Sequence, residues 1–363
     1  MEYRILPHGG EKISIIGMGT SSLHEAGKDA VAVVEAALQR GVNYFDLAAA
    51  ERASLEAVAD ALRGRREDAL LQIHFGALYE NGTYGWTRDL EAIRRAFEWE
   101  TQTLGLAYAD MGFLHCVDDP DDLETVLHGG LFSYLRALKA EGRVRHIGFS
   151  SHDPDIARRI LDTGEIDLFM FSINPAYDYQ KGEYGIGEVE NRAALYRDCE
   201  KAGVGISVMK PFGGGQLLDA GTSPFRRALT RTQCLQYALD RPAVLTVLPG
   251  VRNMEDLENV LAYLDAPAEE RDYALIGEFT PQNAWGNCVY CNHCQPCPAG
   301  LNVGLINKYY DLARAGDALA EGHYRKLNLH AQDCMHCGHC ERRCPFHVSQ
   351  MARMDEIAGW FGA

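Results

Sequence analysis

The chain has 363 residues, 47% hydrophobic and 24% charged, which excludes a disordered or fibrous polypeptide and accommodates one large domain plus an appendage. Its formal net charge of −16 argues against nucleic-acid binding, which needs clustered Lys and Arg to neutralise phosphates, and disfavours anionic membrane surfaces. The start MEYRILPHGG lacks a basic and then apolar leader, and no apolar run approaches the roughly 18 to 20 residues that span a bilayer, so the expected location is cytoplasmic.

The opening YRILPHGGEKIS reads as a hairpin, a plug over a barrel floor. Short apolar runs then alternate with amphipathic stretches from residue 13 to about residue 263. Eight runs are strand candidates, at 15–19, 42–46, 69–75, 110–116, 144–150, 167–173, 205–210 and 243–249. Between them, segments such as DAVAVVEAALQRG and TRDLEAIRRAFEWETQTLG carry apolar residues at three- and four-residue spacing, the helical period. Gly41 and Gly203 stand where helix C-caps are expected. Eight strand-helix units predict a (β/α)8 TIM barrel over 1–263, because an open doubly wound sheet would have fewer strands and a GxGxxG turn after the first.

A charged, Pro-bounded connector is expected over 264–284, and a small α-helical, ferredoxin-like domain over 285–363. Eight of the 11 cysteines crowd into this last part, a pattern that in a reducing compartment means metal rather than disulfides. CVYCNHCQPCP supplies Cys288, Cys291, Cys294 and Cys297; CMHCGHCERRCP supplies Cys334, Cys337, Cys340 and Cys344. Three thiolates at i, i+3 and i+6 hold three corners of a 4Fe-4S cube, and the Cys before a Pro reaches the partner cube. Two 4Fe-4S clusters are therefore expected, one on Cys288, Cys291, Cys294 and Cys344, the other on Cys334, Cys337, Cys340 and Cys297. Structural zinc pairs its cysteines across a long gap without a third Cys three residues on. His293, His336 and His339 read as loop residues.

In a barrel of this kind, chemistry gathers at the C-terminal ends of the strands. The polar residues there are Asp46, His74, His115, Ser150, Ser151, His152, Asn174 and Lys210. The glycines Gly213, Gly214 and Gly215 allow backbone amides to approach a pyrophosphate, and the Arg252 fork suits a phosphate.

GVNYFDLAAAERASLEAVADAL, FLHC, HIGFSS, VMKPFGGGQLL and LPGVRNMEDLENV, in this order and spacing, resemble the signature segments of the aldo/keto reductases, and the paired cysteine runs resemble the subgroup with a C-terminal ferredoxin-like domain. The resemblance implies NADP(H) chemistry and an Asp, Tyr, Lys, His tetrad in which Tyr is the general acid. Asp46 and His115 match the family's Asp and His, whereas Glu51 stands at the Tyr position and His74 at the Lys position. Ser150 and Ser151 stand at the Ser-Asn carboxamide site, and Met209 replaces the aromatic that stacks on nicotinamide.

Among apolar neighbours such as Phe45 and Phe75, a Glu51 carboxyl is expected to act as a neutral acid beside charged Asp46, with Tyr79 or Tyr84 as alternative acids. Three functions follow. The first is an oxidoreductase acting on a carbonyl or hydroxyl of a small molecule with NADP(H) or NAD(H), its clusters serving a redox partner or the stability of the C-terminal lobe. The second is an acid/base lyase or isomerase without net hydride transfer. The third is a non-catalytic electron-transfer protein.

Overall fold

The computed structural model describes residues 1–48, 51–80, 83–178, 189–278, 286, 288, 290, 294–314, 316–317, 319–344 and 347–362. Twelve strands are present among them: β1 Tyr3–Ile5, β2 Lys12–Ser14, β3 Met18–Gly19, β4 Tyr44–Leu47, β5 Leu70–Phe75, β6 Ala77–Glu80, β7 Thr83–Trp86, β8 Ala109–Leu114, β9 Val144–Ser151, β10 Leu168–Ser172, β11 Gly205–Met209 and β12 Val244–Val247. β1 and β2 form the expected antiparallel hairpin. The eight strands β3, β4, β5, β8, β9, β10, β11 and β12 neighbour one another in that order, all parallel. Parallel bridges Ile16–Val247 and Gly19–Gly250 bring the first strand back to the last, so the ring is nearly closed.

Each barrel strand coincides with one of the eight apolar runs. The helix Leu90–Leu104 shows why the intervening segments behave as read. Asp89 accepts the Ala92 N–H at 2.6 Å as N-cap, Ile93, Phe97 and Leu104 face inward, and Gly105 ends the helix at φ 65°. Burying each such side chain contributes about 1.5–3 kcal/mol, which outweighs the helix's modest intrinsic propensity. Gly41 and Gly203 both take left-handed φ, 87° and 70°, after their helices.

Strand alternation sets what fills the ring. Tyr44, Met111, Phe113, Leu168 and Met170 share one apolar cluster, into which Leu6 and Ile13 of the opening hairpin are packed with no exposed surface. Two residues further along their strands, the same inward-pointing columns carry Asp46 above Tyr44 and His115 above Phe113. An apolar interior thus gives way to a polar layer at the strand C-terminal ends.

The described chain divides into two compact units, one comprising Met1–Ser172, Leu195–Pro211 and Ala238–Pro267, the other Ile173–Ala194, Phe212–Tyr237 and Ala268–Ala363. The boundaries expected at 263 and 285 follow the chain, whereas the compact units also group the segments after β10 and β11 with the Cys-rich end. In that second unit the helices Val303–Arg314 and Gln350–Phe361 pack through Ile306, Tyr310, Met354, Ile357 and Phe361. Among the described residues, no helix is long and apolar enough to cross a membrane.

Candidate active site

Asp46 on β4 and Gln72 on β5 are register partners, so their side chains project side by side into the ring. The Gln72 amide donates to Asp46 Oδ1 at 3.0 Å and lies 2.7 Å from His74 Nε2, while its own carbonyl accepts the Tyr44 hydroxyl at 2.5 Å. Burial, reinforced by the charges of Asp46 and Asp110, pushes the Tyr44 phenol well above its usual pKa, so it stays a donor and fixes which end of Gln72 faces the carboxylate. His74 Nε2 is also 3.1 Å from Asp46 Oδ1. His74 Nδ1 reaches His115 Nδ1 at 2.9 Å, and His115 Nε2 is hydrogen-bonded to the Tyr84 hydroxyl. A continuous polar chain therefore runs Asp46, His74, His115, Tyr84. Its members are 9%, 2%, 5% and 7% exposed, dry enough for each bond to be strong.

Two devices hold the far end in place. Tyr84 sits on β7, which pairs antiparallel with β6, and β6 continues from β5 through Phe75–Ala77 pairing. At the turn out of β5, Gly76 has φ 109°, and a Cβ there would lie 2.7 Å from the Arg88 guanidinium. That guanidinium donates to the carbonyls of His115 at 2.7 Å and Cys116 at 3.2 Å, while Asp122 holds it from the other side at 2.7 Å.

Glu51 lies elsewhere. Its carboxylate accepts the Ser54 N–H at 2.8 Å as N-cap of the helix Arg52–Ala61, and no hydrogen bond among the described residues joins it to Asp46, His74 or His115. This corrects the sequence expectation of a neutral Glu51 acid in the pocket. A carboxylate on the first turn of a helix is held there by the orphan N–H groups and the helix dipole. Tyr84, weighed in the sequence only as an alternative acid, is the hydroxyl that meets His115. Gln72 was missed altogether. The Asn81–Gly82 dipeptide, a hairpin signal between the runs ALYE and TYGW, could have revealed the β6–β7 ribbon.

The residues expected to meet a nucleotide are engaged within the chain. Ser150 Oγ accepts the Cys116 N–H at 2.7 Å, and Ser151 Oγ donates to Asp118 Oδ1 at 3.1 Å. Asn174 Oδ1 accepts the Tyr177 N–H at 3.1 Å. Lys210 follows β11 with a left-handed φ of 54°. The Arg252 fork closes on Asp256, at 2.7 and 3.2 Å. Gly213, Gly214 and Gly215 take φ of 60°, 67° and 93°. A Cβ on Gly214 would fall 2.7 Å from Leu312, so packing of the helix Val303–Arg314 is reason enough for a glycine. The donor set fits a nucleotide at the Arg252 fork only in exchange for Asp256, an anion for an anion.

In the Cys-rich unit, Cys297, Cys334, Cys337 and Cys340 line one cavity, together with Pro298, Met335 and Met351. Cys344, next in the second run, is not among its lining residues. Cys297 of the first run and Cys334, Cys337 and Cys340 of the second thus border the same cavity. Of the other expected set, Cys294 is buried, Cys288 and Cys344 are half-buried, and Cys291 and His293 lie outside the described residues. His336 hydrogen-bonds Asp355 at 2.8 Å rather than facing a thiol.

These features have counterparts in known proteins. The 4Fe-4S dicluster domain profile matches residues 284–348. An uncharacterised oxidoreductase of Bacillus subtilis is 24% identical over 298 residues, covering 75% of this chain and 94% of its own. L-galactose dehydrogenase of Arabidopsis thaliana is 25% identical over 312 residues, covering 77% and 93%. The holo form of an aldo-keto reductase from Bacillus halodurans superposes with a TM-score of 0.61 at 25% identity, covering 77% of this chain and 96% of that one. The aldo/keto reductase profile itself matches residues 15–233, the greater part of the barrel and more than half of the whole. With eight parallel strands around Asp46 and His115, the chain belongs to the aldo/keto reductase family and carries a C-terminal 4Fe-4S dicluster domain.

Proposed function

We propose that this protein is an oxidoreductase interconverting a carbonyl and a hydroxyl on a small molecule, with Tyr84 as the proton donor in place of the tyrosine that position 51 lacks. The observation that carries the reading is the unbroken hydrogen-bonded chain from Asp46 through His74 and His115 to the Tyr84 hydroxyl. A nicotinamide nucleotide, when bound, supplies the hydride; the Arg252 guanidinium is the group proposed to hold its phosphate.

The proton steps belong to the chain's own residues. The Tyr84 hydroxyl gives its proton to the substrate oxygen as that oxygen gains negative charge. His115 Nε2–H then passes its proton to the phenolate, and His74 Nδ1–H replaces it at His115 Nδ1. As His74 gives up that proton it takes one from solvent, so the ring stays neutral with Nε2 accepting the Gln72 amide N–H. One proton has left the relay for the substrate, and the next comes from solvent. Such positioned proton transfer contributes typically about 10²- to 10⁴-fold to rate. In the direction of oxidation every step reverses.

A second reading rests on the engagement of Ser151 and Arg252 by Asp118 and Asp256. On it the same relay serves a lyase or isomerase and no hydride moves. Titration of the anaerobically purified protein with NADPH and NADH separates the two. Saturable binding of either, with turnover of short aldehydes, supports the oxidoreductase. Failure to bind both removes it in favour of the second reading.

A further inference from the structure

We propose that Cys116, Asp118 and His152 form a three-ligand binding site for a zinc-class divalent cation at the strand-end face of the barrel. Cys116 follows β8, and His152 follows β9, the neighbouring strand. Cys116 Sγ lies 3.3 Å from Asp118 Oδ2, and His152 Nδ1 lies 2.9 Å from the same oxygen. All three ligand atoms fall within 4.8 Å of one another. With metal-ligand bonds of about 2.0–2.3 Å, the edges of a tetrahedral site are about 3.2–3.7 Å, so a cation asks the two edges that meet at Asp118 Oδ2 to open by only a few tenths of an ångström. Thiolate, imidazole and carboxylate together are a zinc donor set, and three protein ligands leave one position for water or a substrate oxygen.

The surroundings aim these ligands. Asp118 Oδ1 accepts the His152 N–H at 2.6 Å and the Ser151 hydroxyl at 3.1 Å, which turns Oδ2 toward the thiol and the imidazole. Outer bonds of this kind orient metal ligands and raise affinity. Cys116 has φ 47°, a conformation costly for a residue with a Cβ, and its N–H is held by Ser150 Oγ at 2.7 Å. Cys116 and His152 are each 2% exposed. A nucleophilic triad would set the imidazole between thiol and carboxylate; here one carboxylate oxygen meets both of the others, the convergence a cation organises. Binding displaces the thiol proton to solvent as the sulfur–metal bond forms.

The inference does not depend on the proposed activity. Full-length protein with its clusters intact would be titrated anaerobically with zinc, its zinc and iron contents measured, and the zinc edge examined by X-ray absorption. The expected result is about one zinc per chain with one sulfur and the remaining ligands nitrogen or oxygen. Cys116→Ser should remove the sulfur and Ser151→Ala, which keeps all three ligands, should weaken affinity by about 10- to 100-fold, with iron unchanged in both. His152→Gln serves if Cys116→Ser loses iron or fails to fold. No zinc uptake, or a four-sulfur zinc that persists in these variants, overturns the proposal.

Discussion

Tyr84→Phe and Glu51→Gln set the proton relay against the donor that sequence alone suggested. Removing the Tyr84 hydroxyl deletes the atom that meets His115 Nε2 and leaves a buried ring nitrogen without that partner, a cost of about 1–3 kcal/mol in stability. If Tyr84 is the general acid, kcat should fall by about 10²- to 10⁴-fold, with KM little changed because the ring remains. Glu51→Gln keeps an oxygen that can accept the Ser54 N–H, so both stability and kcat should stay near those of the parent protein. Glu51→Ala should cost about 1 kcal/mol through loss of the helix cap, again without loss of kcat. The assay is anaerobic steady-state turnover with saturating nucleotide, alongside denaturant unfolding of each variant. A large kcat loss in Glu51→Gln together with near-normal kcat in Tyr84→Phe would refute the relay.

Three further outcomes are expected. On the proposal that Cys297 and the second cysteine run, which share a cavity, ligate one cluster, Cys297→Ala and Cys334→Ala should damage the same cluster and the double variant should retain as much iron as either single variant; iron analysis and EPR would show instead additive loss if the ligation were not crossed. At the opposite end of the barrel, burial opposes charge on His146, but its bonds to Asp167 at 3.2 Å and Glu11 at 3.0 Å win and raise its pKa. Burial likewise opposes the Asp167 carboxylate, yet His146 and Lys139 hold it down to about 2. The stability from His146 is complete below about pH 6.5 and is lost as pH rises through its higher folded value, while that from Asp167 is complete above about pH 4 and is lost as pH falls toward its folded value. Unfolding measured across pH should therefore show both limbs, and His146→Gln should flatten the alkaline one. In the Cys-rich unit, Arg353 pairs with Asp311, whose other oxygen accepts the Tyr290 hydroxyl at 2.8 Å. Arg353→Ala removes the cation from that half-buried carboxylate and should destabilise the unit by about 1–3 kcal/mol in denaturant melts, with part restored by Asp311→Asn.

Glu51 and Tyr84 show where reading along the chain reaches its limit. Position 51 is matched to a catalytic tyrosine by counting from Asp46, but the count carries no direction, and the helix that starts at Arg52 turns the carboxylate onto its own N–H groups. Tyr84 lies 38 residues from Asp46 and 31 from His115, and no spacing rule links them; the β6–β7 ribbon does. The same holds for Ser151 and Arg252, residue types suited to a nucleotide that tertiary contacts have given to Asp118 and Asp256.

The sequence by itself determined what depends on local chemistry. Apolar runs of strand length, separated by helices of regular period, dictated eight parallel strands, and cysteines three residues apart dictated iron-sulfur ligation, since both patterns are fixed by backbone repeat and bond length. Only the tertiary structure decided which polar groups meet. Asp46, Gln72, His74, His115 and Tyr84 come from three strands and the position just after a fourth, and their hydrogen bonds depend on inter-strand register and on the direction each side chain takes once the ring has formed. Those directions are set by packing between residues distant in the chain, the one kind of information that local order does not carry.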